Sequence, residues 1–176
     1  PGHEIAGEVI SVGSEVSKFK AGDRVGVGTF VDSCRECEYC VEGRENYCLK
    51  GNVQTYNGRH YDKAPTFGGY AKEIVVDQNY VLSIPANLDM AQAAPLLCAG
   101  VTVYSPLNHW QVGPGKKVAV LGLGGLGHMA VKFAVAMGAE VYVLGRSKGK
   151  ESDAKNFGAK EYLITVDAFD SHKNFF

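Results

Sequence analysis

Cys34, Cys37, Cys40 and Cys48 lie within one stretch of the chain, with two, two and seven residues between successive sulfurs. That spacing lets a single looped segment bring four thiolates onto one tetrahedral ion. Zinc is the expected metal. A shell of four sulfurs leaves no position for water or substrate, so such a site holds a loop and performs no chemistry. An iron–sulfur cluster and reduced, unliganded thiols are the alternatives, since sulfur-only tetrahedra also suit iron. Arg35, Glu36, Glu38 and Tyr39, between the ligands, read as solvent-facing loop residues.

A second constraint lies downstream. Lys117–Leu121 is a continuous apolar strand pattern that runs into Gly122-Leu123-Gly124-Gly125-Leu126-Gly127, and residues 126–137 follow with helical apolar spacing closed by Gly138. Another strand is expected over Glu140–Leu144, which makes a βαβ unit with parallel strands. A GxGxxG turn alone is a weak signal, but between a buried strand and a helix it is the dinucleotide fingerprint. Gly122 permits the tight turn, Gly124 lets the backbone approach a pyrophosphate, and Gly127 lets helix and strand pack closely. With Gly125 and Leu126 they present a helix N-terminus, whose free N–H groups and partial positive charge suit phosphate.

At the end of the second strand an NAD-preferring site carries a carboxylate for the ribose hydroxyls. This chain has Gly145-Arg146-Ser147-Lys148 there. Arg146 and Lys150, with the Ser147 hydroxyl, are suited to a 2′-phosphate, so NADP(H) is expected over NAD(H).

Before the helices, residues 4–85 are Gly-rich with short β-branched runs such as Glu8–Val12 and Arg24–Gly28, the pattern of a small antiparallel barrel. Glu73–Val76 and Tyr80–Ile84 are expected as strands joined by Asp77-Gln78-Asn79 and stopped by Pro85. Asn87 or Asp89 is placed to cap a helix starting near Met90. Gly113-Pro114-Gly115 marks the passage to the second domain.

Lys and Arg number 18 against 19 Asp and Glu, a net charge of −1, so nothing points to nucleic acid or an anionic membrane as a partner. No apolar run is long enough to span a bilayer and the start lacks signal-peptide features, which gives a cytoplasmic expectation. A charged start without Met suggests that the chain begins inside a longer one.

These features, together with Pro1-Gly2-His3-Glu4, Phe67-Gly68-Gly69-Tyr70-Ala71 and Pro95-Leu96-Leu97-Cys98-Ala99-Gly100-Val101-Thr102, resemble the zinc-dependent medium-chain alcohol dehydrogenases, and within them the NADP-using cinnamyl alcohol dehydrogenase branch. The resemblance implies an α/β plus β architecture. A GroES-like barrel domain, residues 1–107, is followed by the first part of a Rossmann dinucleotide-binding domain, residues 108–176. It further implies that His3 and Cys98 are ligands of a second, catalytic zinc, that Glu4 is a ligand or exchangeable neighbour of it, and that Thr102 lies near the nicotinamide. Cysteine and histidine ligands with one open position make zinc a Lewis acid for a carbonyl or alkoxide. His60, His109, His128 and His172 match no ligand position, and Trp110 reads as packing.

The family's first catalytic-zinc cysteine and its hydroxyl proton relay fall upstream of Pro1. The remaining Rossmann strands fall downstream of Phe176. The expected function is reversible hydride transfer between a primary alcohol or aldehyde and NADP(H), in a parent enzyme that is a homodimer. Two other readings are a catalytically incomplete, zinc-stabilised nucleotide-binding fragment and a zinc-free quinone reductase of the same superfamily. The cysteine loop disfavours the last of these.

Overall fold

The structure, a computed structural model, describes residues 1–165. Two compact units part between Cys98 and Ala99.

The first unit is built from short antiparallel ladders. Strands β1 (Ile5–Glu8), β2 (Arg24–Val27) and β7 (Leu82–Ser83) form one sheet in the order β1-β2-β7, with Ile5 opposite Val27 and Val25 opposite Ser83. β3 (Phe30–Asp32) pairs with β4 (Val53–Gln54), and β5 (Tyr56–Arg59) with β6 (Pro65–Phe67). Val27, Val31 and Val53 are buried from three of these strands, with Ile5, Val76 and Val81 packed against them. β-branched side chains suit such ladders because their restricted χ1 costs little on a pleated surface.

Two strand expectations shift. The first strand covers Ile5–Glu8 rather than Glu8–Val12, extended only by the Val9–Asp23 and Gly22–Val9 backbone hydrogen bonds. Residues 73–76 join no ladder among the described residues, and Val75 is 98% exposed. Gln78–Tyr80 is a 3-10 turn capped by the Asp77 carboxylate, which accepts from the Asn79 amide. That cap competes successfully with a hairpin.

The cysteine loop carries α1 (Glu38–Val41), and the unit ends with α2 (Met90–Ala93). Asp89 caps α2, accepting from the Gln92 amide at 3.0 Å. Arg24 fastens this segment to β2 by donating to the carbonyls of Pro85, Ala86 and Leu88.

In the second unit α3 (Ala99–His109) packs with α4 (Gly125–Ala136), and Tyr104 meets Phe133 at a ring separation of 5.8 Å. The sheet runs β10-β9-β8, all parallel: β8 (Lys117–Leu121), β9 (Glu140–Gly145) and β10 (Glu161–Ile164), with α5 (Glu151–Asn156) between the last two. The expected strand–helix–strand unit is present. Val131, Ala134, Val141 and Val143 are fully buried between α4 and the sheet. β9 is apolar on both sides because parallel strands are covered on both faces. Gly138 closes α4 at φ +90, where a side chain would be strained. Trp110, expected as packing, is 74% exposed, edge-on to His109.

Candidate metal loop and dinucleotide turn

The four cysteine sulfurs all lie within 4.8 Å of one another. Cys34 and Cys40 are 3.8 Å apart and Cys37 and Cys40 3.5 Å. A metal–sulfur distance of about 2.3 Å gives a tetrahedral edge of about 3.8 Å, so the cluster has the dimensions of a four-sulfur cage. The distances are far beyond an S–S bond, and none of the five cysteines is in a disulfide.

The loop's backbone aims donors at the sulfurs: the Cys34 amide reaches Cys48 Sγ and the Cys37 amide reaches Cys34 Sγ, each at 3.4 Å. Burial acts to raise the Cys48 thiol, but the Cys34 amide, with the Cys34 and Tyr61 side chains, outweighs it and brings it down to about 6. For Cys40 the Ser33 hydroxyl acts to lower the thiol, while burial and the neighbouring Cys37 and Cys48 raise it to about 11. Thiols packed this closely titrate against one another. The donor set therefore fits a soft or borderline divalent cation, which stabilises every thiolate at once.

Arg35 is more than a solvated loop residue. It stands at φ +61, pairs with Asp32 at 2.7 Å and Asp77 at 3.0 Å, and lies over the Tyr80 ring at 5.6 Å. The two carboxylates raise its guanidinium above its ordinary value, Asp32 most strongly and against some burial. Ser33, 2% exposed, bridges the Tyr80 hydroxyl at 2.7 Å and Cys40 Sγ at 3.2 Å. Asp32, Ser33 and Arg35 stand beside Cys34 in the sequence, whereas Asp77, Tyr80 and Tyr61 are remote from it. Glu36 instead pairs with Lys50, and Tyr39 stacks beneath Arg44 at 4.8 Å.

Pro1–Glu4 is held by the Phe67–Tyr70 segment. The Gly69 amide donates to Gly2 O at 3.0 Å and the Tyr70 amide to Pro1 O at 2.9 Å. A Cβ at Gly68 would stand 2.6 Å from both the Pro1 and Gly2 carbonyl oxygens, and one at Gly69 would collide with Ile5. Gly68 is needed because backbone lies on backbone there, and Gly69 because the Ile5 side chain occupies the space. His3 packs against Tyr56 at 5.5 Å between rings, and Tyr56 also lines an open recess of about 660 Å³ beside Pro1 and Phe67. Cys98 follows Leu97, whose carbonyl lies against Gly28 beyond the end of β2. Among the described residues, the four cysteines are the only group of three or more His, Cys, Asp or Glu side chains placed to hold a metal ion. His3, Glu4 and Cys98 do not form such a set.

The glycine turn is open where a ligand would lie and tight where the chain packs. A Cβ at Gly124 or Gly125 would meet nothing within 4 Å, whereas one at Gly127 would run into the Gly122 carbonyl oxygen. Gly122 has φ +84, and no side chain caps the α4 N-terminus at Gly124. The cradle thus fits a diphosphate on the helix N-terminus. Lys150 Nζ reaches Leu123 O at 2.7 Å, so one expected phosphate ligand stands at the turn itself. Ser147 begins a 3-10 turn over Lys148–Lys150, and Thr102 is one helical turn into α3. Among the described residues no helix is long and apolar enough to cross a membrane.

Residues 1–86 match the alcohol dehydrogenase GroES-like domain. An NADP-dependent alcohol dehydrogenase from Mycolicibacterium smegmatis is 63% identical over 168 residues, 95% of this chain and 48% of the relative. The solved structure of a CAD from Helicobacter pylori complexed with NADP(H) superposes with TM-score 0.88 at 53% identity, over 93% of this chain and 47% of that one. A cinnamyl alcohol dehydrogenase from Sorghum bicolor superposes with TM-score 0.91 at 53% identity, over 96% of this chain and 48% of that one. The chain spans about half the length of the curated relatives it matches. Residues 1–86 are thus an alcohol dehydrogenase GroES-like domain, a parallel βαβ unit follows them, and the chain's homologues are NADP-dependent and cinnamyl alcohol dehydrogenases.

Proposed function

We propose that this chain is the metal-stabilised, dinucleotide-binding part of an NADP(H)-linked alcohol dehydrogenase that interconverts a primary alcohol and its aldehyde. The observation that carries the reading is the glycine turn: an uncapped α4 N-terminus, open space at Gly124 and Gly125, and a lysine at the same turn. In this reading residues 1–107 are the GroES-like domain and residues from 108 onward the dinucleotide domain. Gly122, Gly124, Gly125, Leu126 and Gly127 hold the diphosphate, Arg146, Ser147 and Lys150 the 2′-phosphate, and Thr102 lies near the nicotinamide. NADPH, when bound, supplies the hydride for carbonyl reduction. Its phosphates would meet the uncapped α4 N-terminus and Lys150, already held at the turn, which lowers the ordering cost of binding.

Cys34, Cys37, Cys40 and Cys48 hold a structural zinc whose closed shell fixes the loop. The assignment of His3, Glu4 and Cys98 to a second zinc rests on the resemblance, and no reaction step is routed through it. The substrate is a small alcohol or aldehyde, and the parent enzyme acts as a homodimer in the cytoplasm.

A second reading, a zinc-stabilised nucleotide-binding piece without turnover, rests on the four-cysteine group, whose closed shell of sulfurs would hold a metal without chemistry. Elemental analysis together with an NADPH–aldehyde assay separates the two. Two bound zinc ions and NADPH consumption support the enzyme reading for this chain. One zinc, with NADPH bound but not consumed, supports the second, and a chain that binds no dinucleotide sinks both.

A further inference from the structure

Gly145 ends β9, the position at which an NAD-preferring site places its ribose-binding carboxylate. A Cβ on Gly145 would run into the hydroxyl of Tyr162, on the neighbouring strand β10. Tyr162 is in register with Val143, and its ring packs on the buried core of the second unit. Its hydroxyl donates to the carbonyl oxygen of Ser147 at 2.8 Å. Just beyond β10, the Thr165 amide and hydroxyl both donate to the Gly145 carbonyl, at 2.9 and 3.2 Å. The backbone of the turn is thus held from β10 at two points, Gly145 and Ser147.

We propose that Tyr162 determines the dinucleotide specificity of this turn. Its hydroxyl fills the volume that a side chain at position 145 requires, which keeps a carboxylate away from the ribose. The same hydroxyl holds the Ser147 backbone, so that Arg146, Ser147 and Lys150 are presented together to a 2′-phosphate. Tyr162 is a positioning residue that acts through the turn. The inference rests on the reading of this turn as the NADP(H) ribose site. The atom that blocks Gly145 is the far end of a side chain, so shortening residue 162 reopens the space.

The experiment measures NADPH and NADH affinities of the 176-residue chain by nicotinamide fluorescence, with thermal melts on each variant. Tyr162→Phe keeps the ring and its packing but removes one donor. It is expected to reduce the NADPH-to-NADH affinity ratio roughly 3- to 10-fold, the worth of one hydrogen bond, with NADH affinity nearly unchanged. A general loss of structure would lower both affinities together. Gly145→Asp alone is expected to weaken both nucleotides, and Gly145→Asp combined with Tyr162→Ala to bind NADH better than NADPH. If the wild-type chain prefers NADPH while Tyr162→Phe keeps its ratio, or while Gly145→Asp alone takes NADH as well as the double variant, the role of Tyr162 is overturned and the NADP reading stands. A wild-type chain that shows no preference, or binds neither nucleotide, overturns both.

Discussion

Lys150 Nζ donates to the carbonyl oxygen of Leu123 at 2.7 Å, which ties the turn after β9 to the glycine turn after β8. The ammonium has three donors, so one bond to Leu123 leaves two for phosphate. Lys150→Met is expected to weaken NADPH binding by about tenfold and NADH binding by clearly less, the scale of a hydrogen bond to a charged group. Calorimetric titration with the two nucleotides checks this, and equal losses would place Lys150 in the fold of the turn alone.

Two glycines of the turn have different jobs. Gly124 has room for a methyl group and Gly127 has a carbonyl oxygen in the way. Gly124→Ala is expected to keep the folding stability within about 1 kcal/mol, the scale of exchanging a cap residue, while dinucleotide affinity falls. Gly127→Ala must push α4 away from β8 and is expected to cost about 1–3 kcal/mol, an overpacking penalty, visible in urea unfolding. Equal stability of the two variants contradicts this division.

Metal removal tests the cysteine loop. The wild-type chain is expected to hold tightly bound zinc, and Cys40→Ser to lose it. Chelation or that substitution is expected to lower the melting temperature by at least about 10 °C, because metal binding is coupled to folding. A melting temperature indifferent to chelator would leave the four sulfurs as unliganded thiols.

Asp77 and Arg35 join the turn at 78–80 to the cysteine loop across 42 positions of sequence. The Asn79 amide, then Arg35, holds the Asp77 carboxyl below the usual carboxylate range, against some burial. A depressed folded-state value contributes stability above the unfolded pKa of about 3.9, lost as pH falls through the folded value. Asp77→Asn keeps an N-cap acceptor and removes the charge. Its deficit at pH 7 should be under about 1 kcal/mol, as both partners are over a third exposed. Urea unfolding of both proteins at pH 7 and at successive steps into the acid range reads the difference, which should shrink as the pH falls through the folded-state value of Asp77. A deficit that persists there assigns the effect to the cap.

The convergence of the four cysteines and the strand–turn–helix around the glycine turn were readable in the sequence because both are local. Four ligands come from one short segment, and β8, the glycine turn and α4 are consecutive. Residues 73–76 were misread because alternation of Ile74 and Val76 says which side faces the core but not whether a partner strand is at hand. Arg35 passed for a solvated loop residue because its partners Asp77 and Tyr80 are remote in sequence. Nothing about Tyr162, a residue within a strand, signals that its hydroxyl stands against Gly145 and Ser147.

The sequence by itself determined the four-cysteine spacing, the succession of strand, glycine turn and helix, and the absence of a carboxylate at position 145, since spacing and residue type suffice for properties carried by neighbours along the chain. Tertiary structure decided which side chains support them: Ser33, Tyr80 and Asp77 around the cysteine loop, Gly68 and Gly69 beneath Gly2, and Tyr162 and Thr165 behind the turn after β9. Those partners meet through strand register and backbone packing, which join residues far apart in the chain and leave no periodic mark in it.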